Sequence, residues 1–229
     1  FMKKIKFIAL FIILTITSLP LSKGEGYSLS EVEPFPAESE VLYTEMGLKN
    51  AITYDVFRLA YQGFKKIDER KKDILSIVDF SMPSTQKRLL VLDMNAHRVL
   101  FNSHVAHGRN SGSNYATAFS NKVGSYQSSL GFYITENTYQ GGNGYSLILE
   151  GLECGFSDKA KERAIVIHGA DYCESSVISS SGRLGRSLGC PALPPKLSRP
   201  VIDAIKGGSV LFIYADNSKY LAQSSYLNE

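Results

Sequence analysis

The body of the sequence lacks an excess of charge of either sign. Three of its 25 lysine and arginine residues, Lys3, Lys4 and Lys6, lie in the first six positions, and the remaining 22 equal the 22 aspartate and glutamate residues. A protein that binds nucleic acid through its electrostatic field needs a basic excess. The balance therefore argues against nucleic acid as a partner.

The N-terminus lacks an apolar run long enough to span a bilayer. The run behind the first lysines covers Phe7–Ile16, about half of the ~20 residues that a membrane-spanning helix needs. A basic start and a short apolar run are typical of a signal peptide, which we place at residues 1–22, with a retained anchor as the alternative. No cysteine directly follows the run to indicate a lipoprotein. Both interpretations place the body of the protein outside the cytoplasm, in the periplasm or cell envelope.

Two further absences argue against other kinds of chemistry. No C-x-x-C pair exists, so a redox protein built on Cys154 and Cys173 ranks last, whether these thiols pair or are buried singly. Gly185–Gly189 fits the G-x-S-x-G turn of α/β-hydrolases, but that fold needs a histidine later in the chain. The last histidine here is His168, which excludes a serine hydrolase of that type.

The residues that are plentiful are typical of a folded, β-rich chain. Hydrophobic residues make up 44% and charged residues 21%, while 13 tyrosines, 12 phenylalanines and 19 glycines favour strands separated by turns. Seven short runs rich in Val, Leu, Ile and Phe predict strands: Ile74–Phe80, Arg88–Asp93, Arg98–Val105, Leu130–Thr135, Tyr145–Leu149, Arg163–His168 and Ser209–Tyr214. We therefore predict a mainly β fold, a β-sandwich with few helices.

The remaining segments divide the chain. Apolar residues three and four apart predict a helical segment over residues 41–72, and Val201–Lys206 predicts one short helix ended by two glycines. Residues 23–40 are small, polar and acidic with two prolines, and we interpret them as a linker. The predicted strands form one domain over residues 73–216, which leaves residues 217–229 as a C-terminal tail.

Cys190 is the candidate nucleophile of this domain. It lies in the glycine-containing segment Ser187-Leu188-Gly189-Cys190-Pro191. A thiol has a pKa of ~8.5, within reach of a neighbouring imidazole that can deprotonate it. His168 ends an apolar run and is followed by Gly169, so we expect its side chain at a rim of the sheet rather than in the core. A loop of this length can fold back and bring His168 and Cys190 together.

Four segments carry a resemblance to a known family. His168-Gly169 followed, after a spacer, by Ser187-Leu188-Gly189-Cys190 resembles the catalytic signature of L,D-transpeptidases of the YkuD-like superfamily, H-G and then S/T-H-G-C. Val105–Gly112 and Ser128–Thr135 resemble the Bacteroidetes-type branch, the murein L,D-transpeptidase catalytic domain family. The resemblance covers roughly Ile74–Tyr214. It implies that the predicted β domain is an L,D-transpeptidase-like catalytic domain.

The resemblance implies a role for each residue of the signature. Cys190 attacks a peptide carbonyl of a peptidoglycan stem, and His168 takes the thiol proton and returns it to the leaving amine. The backbone N–H groups of Gly189 and Cys190 form the oxyanion hole. Ser187 orders the loop, and Gly169 permits close backbone approach beside the imidazole.

Other side chains are candidates for substrate binding. Arg186 and Arg183 are our candidate anchors for a carboxylate of the stem peptide, because a guanidinium binds carboxylates with a bidentate fork. His107 either lines the substrate groove or only braces a loop. Tyr133 either lines the cleft or packs in the sheet. We expect a backbone carbonyl, rather than Asp171, to orient the catalytic imidazole.

Leu188 departs from the family pattern, because the superfamily has a second histidine directly before Gly-Cys. We predict an exported L,D-transpeptidase that forms 3–3 crosslinks between stem peptides. The alternatives are an L,D-carboxypeptidase and a non-catalytic peptidoglycan-binding domain. The resemblance also implies acylation by carbapenem-type β-lactams. We expect a monomer without cofactor or metal, since His104 and His107 lie three apart on a strand and point to opposite faces.

Overall fold

The computed structural model describes residues 37–228 of the chain, so the predicted signal peptide and most of the predicted linker lie outside the described residues. Two helices come first, α1 over Glu38–Glu45 and α2 over Tyr54–Lys66. Helix α1 begins within the range interpreted as a linker, and α2 lies inside the predicted helical segment. None of the helices described between residues 37 and 228 is both long enough and apolar enough to cross a membrane.

Helix α2 docks one apolar face on the sheet. Phe57, Ala60 and Phe64 recur at three- and four-residue spacing and are buried. Gly63 lies on the side that meets the sheet, where any side chain would overlap the ring of Phe132. The absence of a side chain at this position therefore lets the helix backbone approach the sheet closely.

One continuous sheet of eight strands forms the centre of the described chain. The strands are β1 (Ile74–Asp79), β2 (Leu89–Asp93), β3 (Arg98–Ser103), β4 (Gly131–Gly141), β5 (Gly144–Gly151), β6 (Val166–Gly169), β7 (Ala192–Leu193) and β8 (Val210–Tyr214). Their spatial order is β3-β2-β1-β8-β4-β5-β6-β7. Neighbours are antiparallel except for the pairs β1–β8 and β6–β7. The mainly β fold with few helices is confirmed, since five α-helices accompany this sheet between residues 37 and 228.

Two predicted element boundaries are wrong for identifiable reasons. Strand β6 begins at Val166 rather than Arg163, because Ala164 has φ +52°, a left-handed conformation that a strand does not adopt. Helix α4 covers Pro195–Ile205 and so begins before the predicted Val201. A proline in the first helical turn loses no internal hydrogen bond, so it starts this helix rather than preventing it.

The residues that the sequence left as a tail pack on the core. Helix α5 covers Ser218–Gln223. Glu153, which follows β5, is 2% exposed and accepts hydrogen bonds from the N–H of Phe132 (2.7 Å) and the hydroxyls of Tyr220 (2.9 Å) and Ser224 (2.5 Å). Burial raises the pKa of this carboxyl group, and the three hydrogen bonds oppose the rise. Glu153 thus ties the C-terminal helix to β4.

Replacing Glu153 by alanine is expected to destabilise the fold by at least ~3 kcal/mol, because three buried donors lose their acceptor and each costs ~1–3 kcal/mol when unsatisfied. Thermal and urea denaturation measure the change. The matched control is Glu162→Ala, an exposed glutamate, which is expected to stay within about 0.5 kcal/mol of the wild type. Equal stability of the two variants would show that Glu153 does not hold the C-terminal helix.

Candidate active site

Cys190 lies in the loop between α3 (Ser175–Ser181) and the edge strand β7. Its side chain is 9% exposed, and its Sγ is 3.7 Å from the carbonyl oxygen of Ala164. Burial raises the pKa of the thiol, whereas the N–H of Val166 and the guanidinium of Arg163 act in the opposite direction. The thiol is therefore packed against the beginning of β6, near a cation.

The hydroxyl of Ser187 fixes the conformation of this loop. It accepts the N–H of Gly189 at 3.0 Å and donates to the carbonyl oxygen of Cys190 at 2.6 Å. Gly189 has φ +127°, and a Cβ there would lie 2.9 Å from the carbonyl oxygen of Gln127. Both the backbone conformation and the available space therefore require glycine. These contacts support the ordering role predicted for Ser187.

The loop that precedes β4 holds the nucleophile loop from its other side. The N–H of Ser187 donates to the carbonyl of His107 at 3.0 Å, and the carbonyl of Ser187 accepts the N–H of Arg109 at 2.8 Å. The hydroxyl of Ser128 donates to the carbonyl of Gly189 at 3.2 Å. Both ends of the segment before Cys190 are consequently fixed by neighbouring backbone and by a buried serine.

One of the two predicted oxyanion-hole donors is already in use. The N–H of Gly189 donates to the Ser187 hydroxyl, and a backbone N–H has a single proton to give. The prediction that this N–H is free for an oxyanion is therefore wrong in this conformation. The N–H of Cys190 makes no hydrogen bond within residues 37–228, so it remains available.

The ring of His168 is held as a neutral base. It lies in β6, is 4% exposed, and its Nδ1 is 2.9 Å from the carbonyl oxygen of Gly169. A carbonyl only accepts hydrogen bonds, so Nδ1 carries the proton and Nε2 keeps its lone pair. Burial lowers the pKa of His168, which keeps the ring uncharged at neutral pH. The contact agrees with the expectation that a backbone carbonyl, rather than Asp171, orients this ring.

His168 and Cys190 lie on adjoining segments at one edge of the sheet. In the parallel pairing of β6 with β7, His168 is opposite Ala192, two residues after Cys190. Strand spacings of ~4.8 Å and a rise of ~3.3 Å per residue put the two Cα atoms about 8 Å apart. The two side chains share no hydrogen bond in the described part of the chain. Proton transfer therefore requires one side chain to turn towards the other.

A cavity of about 590 Å³ opens beside His168. It is lined by Gly142, Asn143, Tyr145, His168, Gly169, Ala170, Asp171, Tyr172, Pro195, Ser198 and Arg199. Burial raises the pKa of Tyr172, and the negative charges that Cys173 and Cys190 can carry raise it further. A Cβ on Gly169 would come within 2.6 Å of the Ser198 hydroxyl, which supports the close approach predicted at this glycine.

Two charged side chains of opposite sign border this cavity. The guanidinium of Arg199 lies over the ring of Tyr145, 4.2 Å from its centroid. Its charge helps to lower the pKa of Asp203, one turn further along α4. Asp171 is exposed on the segment that follows β6. The cavity therefore offers a cation and an anion to a bound molecule.

The two arginines assigned to substrate binding brace backbone instead of lining this cavity. The Nη1 of Arg186 donates to the carbonyls of Arg109 (3.2 Å) and Gly112 (2.8 Å). The Nη1 of Arg183 donates to the carbonyl of Leu184 at 2.7 Å. Their role as carboxylate anchors stays a prediction.

Tyr133 and His107 do not line a groove, because both side chains are fully buried. The hydroxyl of Tyr133 is 2.8 Å from that of Ser129 inside the core. The Nδ1 of His107 accepts a hydrogen bond from Arg88 at 2.8 Å, and burial together with that cation lowers the pKa of His107 to about 4. The substrate-binding roles are therefore wrong for both residues. Tyr133 packs in the sheet and His107 braces a loop, which are the alternatives considered for these two residues.

All three cysteines are free. Cys154 is exposed, whereas Cys173 is buried and its thiol donates to the carbonyl of Ala192 at 3.2 Å. The pairing considered for Cys154 and Cys173 is therefore absent from this structure.

Sequence reasoning missed three arginines that shape the site, Arg88, Arg163 and Arg199. The first two begin predicted strands, where a charged side chain is usually solvated. Arg88 instead turns inward, is 2% exposed and donates to the carbonyls of Val105 and Met82. No signal in the sequence distinguishes these arginines from surface residues, since partners such as Val105, Gln127 and Tyr145 are brought to them only by the fold.

Replacing Ser187 by alanine is expected to destabilise the protein by about 2 kcal/mol and to expose Cys190. The N–H of Gly189 would be left without an acceptor, and the loop would lose its internal bridge. Urea denaturation and the rate of Cys190 alkylation by iodoacetamide measure both effects. Ser187→Thr keeps the hydroxyl and is expected to behave like the wild type. Unchanged alkylation in Ser187→Ala would argue that the loop holds its conformation without this bridge.

Comparison with solved structures gives weak likenesses to L,D-transpeptidases. One from Stackebrandtia nassauensis is 16% identical over 78% of this chain and 76% of that chain, with a TM-score of 0.37. One from Mycobacterium smegmatis is 13% identical over 62% and 59%, with a TM-score of 0.38. L,D-transpeptidase 3 from Mycobacterium tuberculosis, in complex with a faropenem-derived adduct, is 13% identical over 62% of this chain and 60% of that chain, with a TM-score of 0.38. The chain spans about three fifths of the length of the two mycobacterial chains. No curated protein sequence matches.

The sequence itself assigns the family. A family model described as the L,D-transpeptidase catalytic domain matches residues 48–214, well over half of the chain. The matched span contains α2, all eight strands, His168 and Cys190. This match confirms the resemblance drawn from the motifs. The chain therefore belongs to the L,D-transpeptidase catalytic domain family.

Proposed function

We propose that this protein is an exported L,D-transpeptidase that acts on peptidoglycan stem peptides through a thioester at Cys190 and forms 3–3 crosslinks. The observation that carries the proposal is the arrangement around the thiol. Cys190 keeps a free backbone N–H, and the adjoining strand holds His168 neutral with Nε2 as its base. Nucleophile, base and oxyanion donor are the three groups that acyl transfer from a peptide needs.

The first half of the reaction forms the acyl-enzyme. The Nε2 of His168 takes the proton from Sγ of Cys190, and the sulfur attacks the carbonyl carbon of the third stem residue. The N–H of Cys190 donates to the oxygen that becomes negative in the tetrahedral intermediate. His168 then gives its proton to the nitrogen of the terminal D-amino acid, the C–N bond breaks, and a thioester remains on Cys190.

The second half transfers the acyl group. The side-chain amine of a neighbouring stem loses a proton to His168 and attacks the thioester, and the sulfur leaves and regains a proton from His168. The product is a 3–3 crosslink. Water in place of the amine gives a trimmed tripeptide, which is the L,D-carboxypeptidase reaction. The same sulfur can attack the carbonyl carbon of a carbapenem-type β-lactam, which breaks the C–N bond of the strained ring and leaves the opened product as a thioester on Cys190.

The cavity beside His168 suits the donor stem. Arg199 lines this cavity, so it can bind a carboxylate of the stem with a charge-assisted hydrogen bond. Asp171 offers an acceptor for an ammonium group of the same residue. A third stem residue that carries both groups, such as diaminopimelate, matches this pair. Peptidoglycan lies outside the cytoplasmic membrane, so this substrate also requires the export predicted from residues 1–22.

Mass spectrometry of the protein incubated with a disaccharide-tetrapeptide tests the proposal. The wild type is expected to give an acyl adduct on the peptide that contains Cys190, together with crosslinked dimers. Cys190→Ala is expected to give neither, because the nucleophile is gone. His168→Gln is expected to slow both by at least 100-fold, the usual contribution of a general base. Cys154→Ala removes an exposed thiol and serves as the matched control with unchanged products.

Three other outcomes contradict the proposal. Tripeptides without dimers would make the protein an L,D-carboxypeptidase. Binding of the muropeptide without adduct or product would make it a non-catalytic wall-binding domain. Unchanged dimer formation in Cys190→Ala would place the nucleophile elsewhere.

Replacing Arg199 by methionine is expected to raise KM for the tetrapeptide donor about tenfold while changing kcat less than threefold, since a charge-assisted hydrogen bond contributes ~1.5–3 kcal/mol to binding. Steady-state kinetics of dimer formation measure KM and kcat separately. Lys196→Met removes a cation from the same helix outside the cavity lining and is expected to leave KM unchanged. An equal KM in both variants would exclude Arg199 as the anchor.

A further inference from the structure

Arg163 lies directly beside the nucleophile loop. It precedes Ala164, whose carbonyl oxygen is the nearest acceptor of the Cys190 thiol. The Nη2 of Arg163 would lie 3.4 Å from a Cβ atom placed on Gly189. Arg163 therefore lies next to the residue that contacts the thiol, and its guanidinium lies next to the glycine that precedes the nucleophile.

The guanidinium is held rigidly and is only partly satisfied. Its Nη2 donates to the carbonyl of Gln127 at 2.5 Å and to the hydroxyl of Ser125 at 3.4 Å. Its Nη1 is buried and makes no hydrogen bond with the described residues. A buried donor without an acceptor costs stability, so its retention points to an acceptor that forms during the reaction.

Among residues 37–228, Arg163 is the cation that acts on the Cys190 thiol. The titratable groups near Cys190 are Tyr172, on the segment after β6, and the neutral ring of His168. Tyr133 lies near Arg163 from the side of β4 and is un-ionised, because burial raises its pKa. No carboxylate of the described chain forms an ion pair with Arg163, so its charge is not neutralised locally.

We propose that Arg163 is a positioning residue for the nucleophile, whose guanidinium stabilises the thiolate of Cys190. The inference rests on the proposed function, because it assigns a charge partner to the same thiol. The family pattern supplies a histidine at position 188, but Leu188 projects a 57% exposed apolar side chain there. The cation beside the sulfur thus comes from the segment that precedes β6 rather than from the nucleophile loop.

The pH dependence of thiol alkylation tests this proposal without any substrate. Iodoacetamide reacts with the thiolate, and peptide mapping follows Cys190 separately from Cys154 and Cys173. Arg163→Met is expected to raise the pKa of Cys190 and to slow its alkylation about tenfold at pH 7, the effect of removing one nearby opposite charge. Arg163→Lys keeps a positive charge, and its rate of Cys190 alkylation is expected to lie between those of the wild type and Arg163→Met. The exposed thiol of Cys154 is the internal control and is expected to react identically in all variants.

An unchanged pH profile of Cys190 in a folded Arg163→Met variant would overturn the proposal. If that variant does not fold, the wild type provides the test. The ¹³C resonance of the Arg163 guanidinium carbon is expected to titrate together with Cys190 and to stop doing so in Cys190→Ser. A resonance that does not follow the thiol would equally overturn it. Slower alkylation of Cys190 in Arg163→Met, in a protein that forms no crosslinked dimers, would refute the proposed function alone. The thiolate would then be stabilised in a protein that does not transfer acyl groups.

Discussion

The hydroxyl of Ser187 is the contact on which the site depends. By taking the N–H of Gly189 and donating to the carbonyl of Cys190, it closes a tight turn around the nucleophile. That turn is possible because Gly189 adopts a positive φ that other residues avoid. The same hydrogen bonds decide which backbone donor remains, since the N–H of Gly189 is used and that of Cys190 is not. One serine therefore sets both the position of the sulfur and the direction from which an oxyanion can be bound.

Electrostatics set the resting state of the site. Burial raises the pKa of the Cys190 thiol and lowers that of the His168 imidazole. Each shift disfavours the charged form, so at neutral pH the pair rests as thiol and neutral imidazole rather than as an ion pair. Ionisation is then coupled to the step in which the sulfur attacks, and a fixed cation such as Arg163 lowers the free energy of that step. Burial thus favours the neutral thiol at rest, and the guanidinium of Arg163 favours the thiolate that attacks.

The sequence predicted the features that depend on neighbouring residues. Short runs rich in Val, Leu, Ile and Phe predicted the strands, the segment around Cys190 predicted the nucleophile loop, and the family resemblance implied the role of Ser187. The sequence did not predict the features that depend on contacts between residues far apart in the chain. Glu153 binds groups of α5, so the apparent tail is part of the core. His107 was open to two interpretations, and the buried Arg88 decides between them through a hydrogen bond that no local pattern announces.

The departure at position 188 does not argue against catalysis once the loop is understood. Its conformation is fixed by the residues on both sides, Ser187 through its hydroxyl and Gly189 through its positive φ. The side chain between them points outward, and Leu188 is 57% exposed. A change of residue type there alters a surface contact and leaves the sulfur, its free N–H and the neighbouring base where they are. In our proposal, the positive charge that acts on the sulfur is that of Arg163 and does not depend on the residue at position 188.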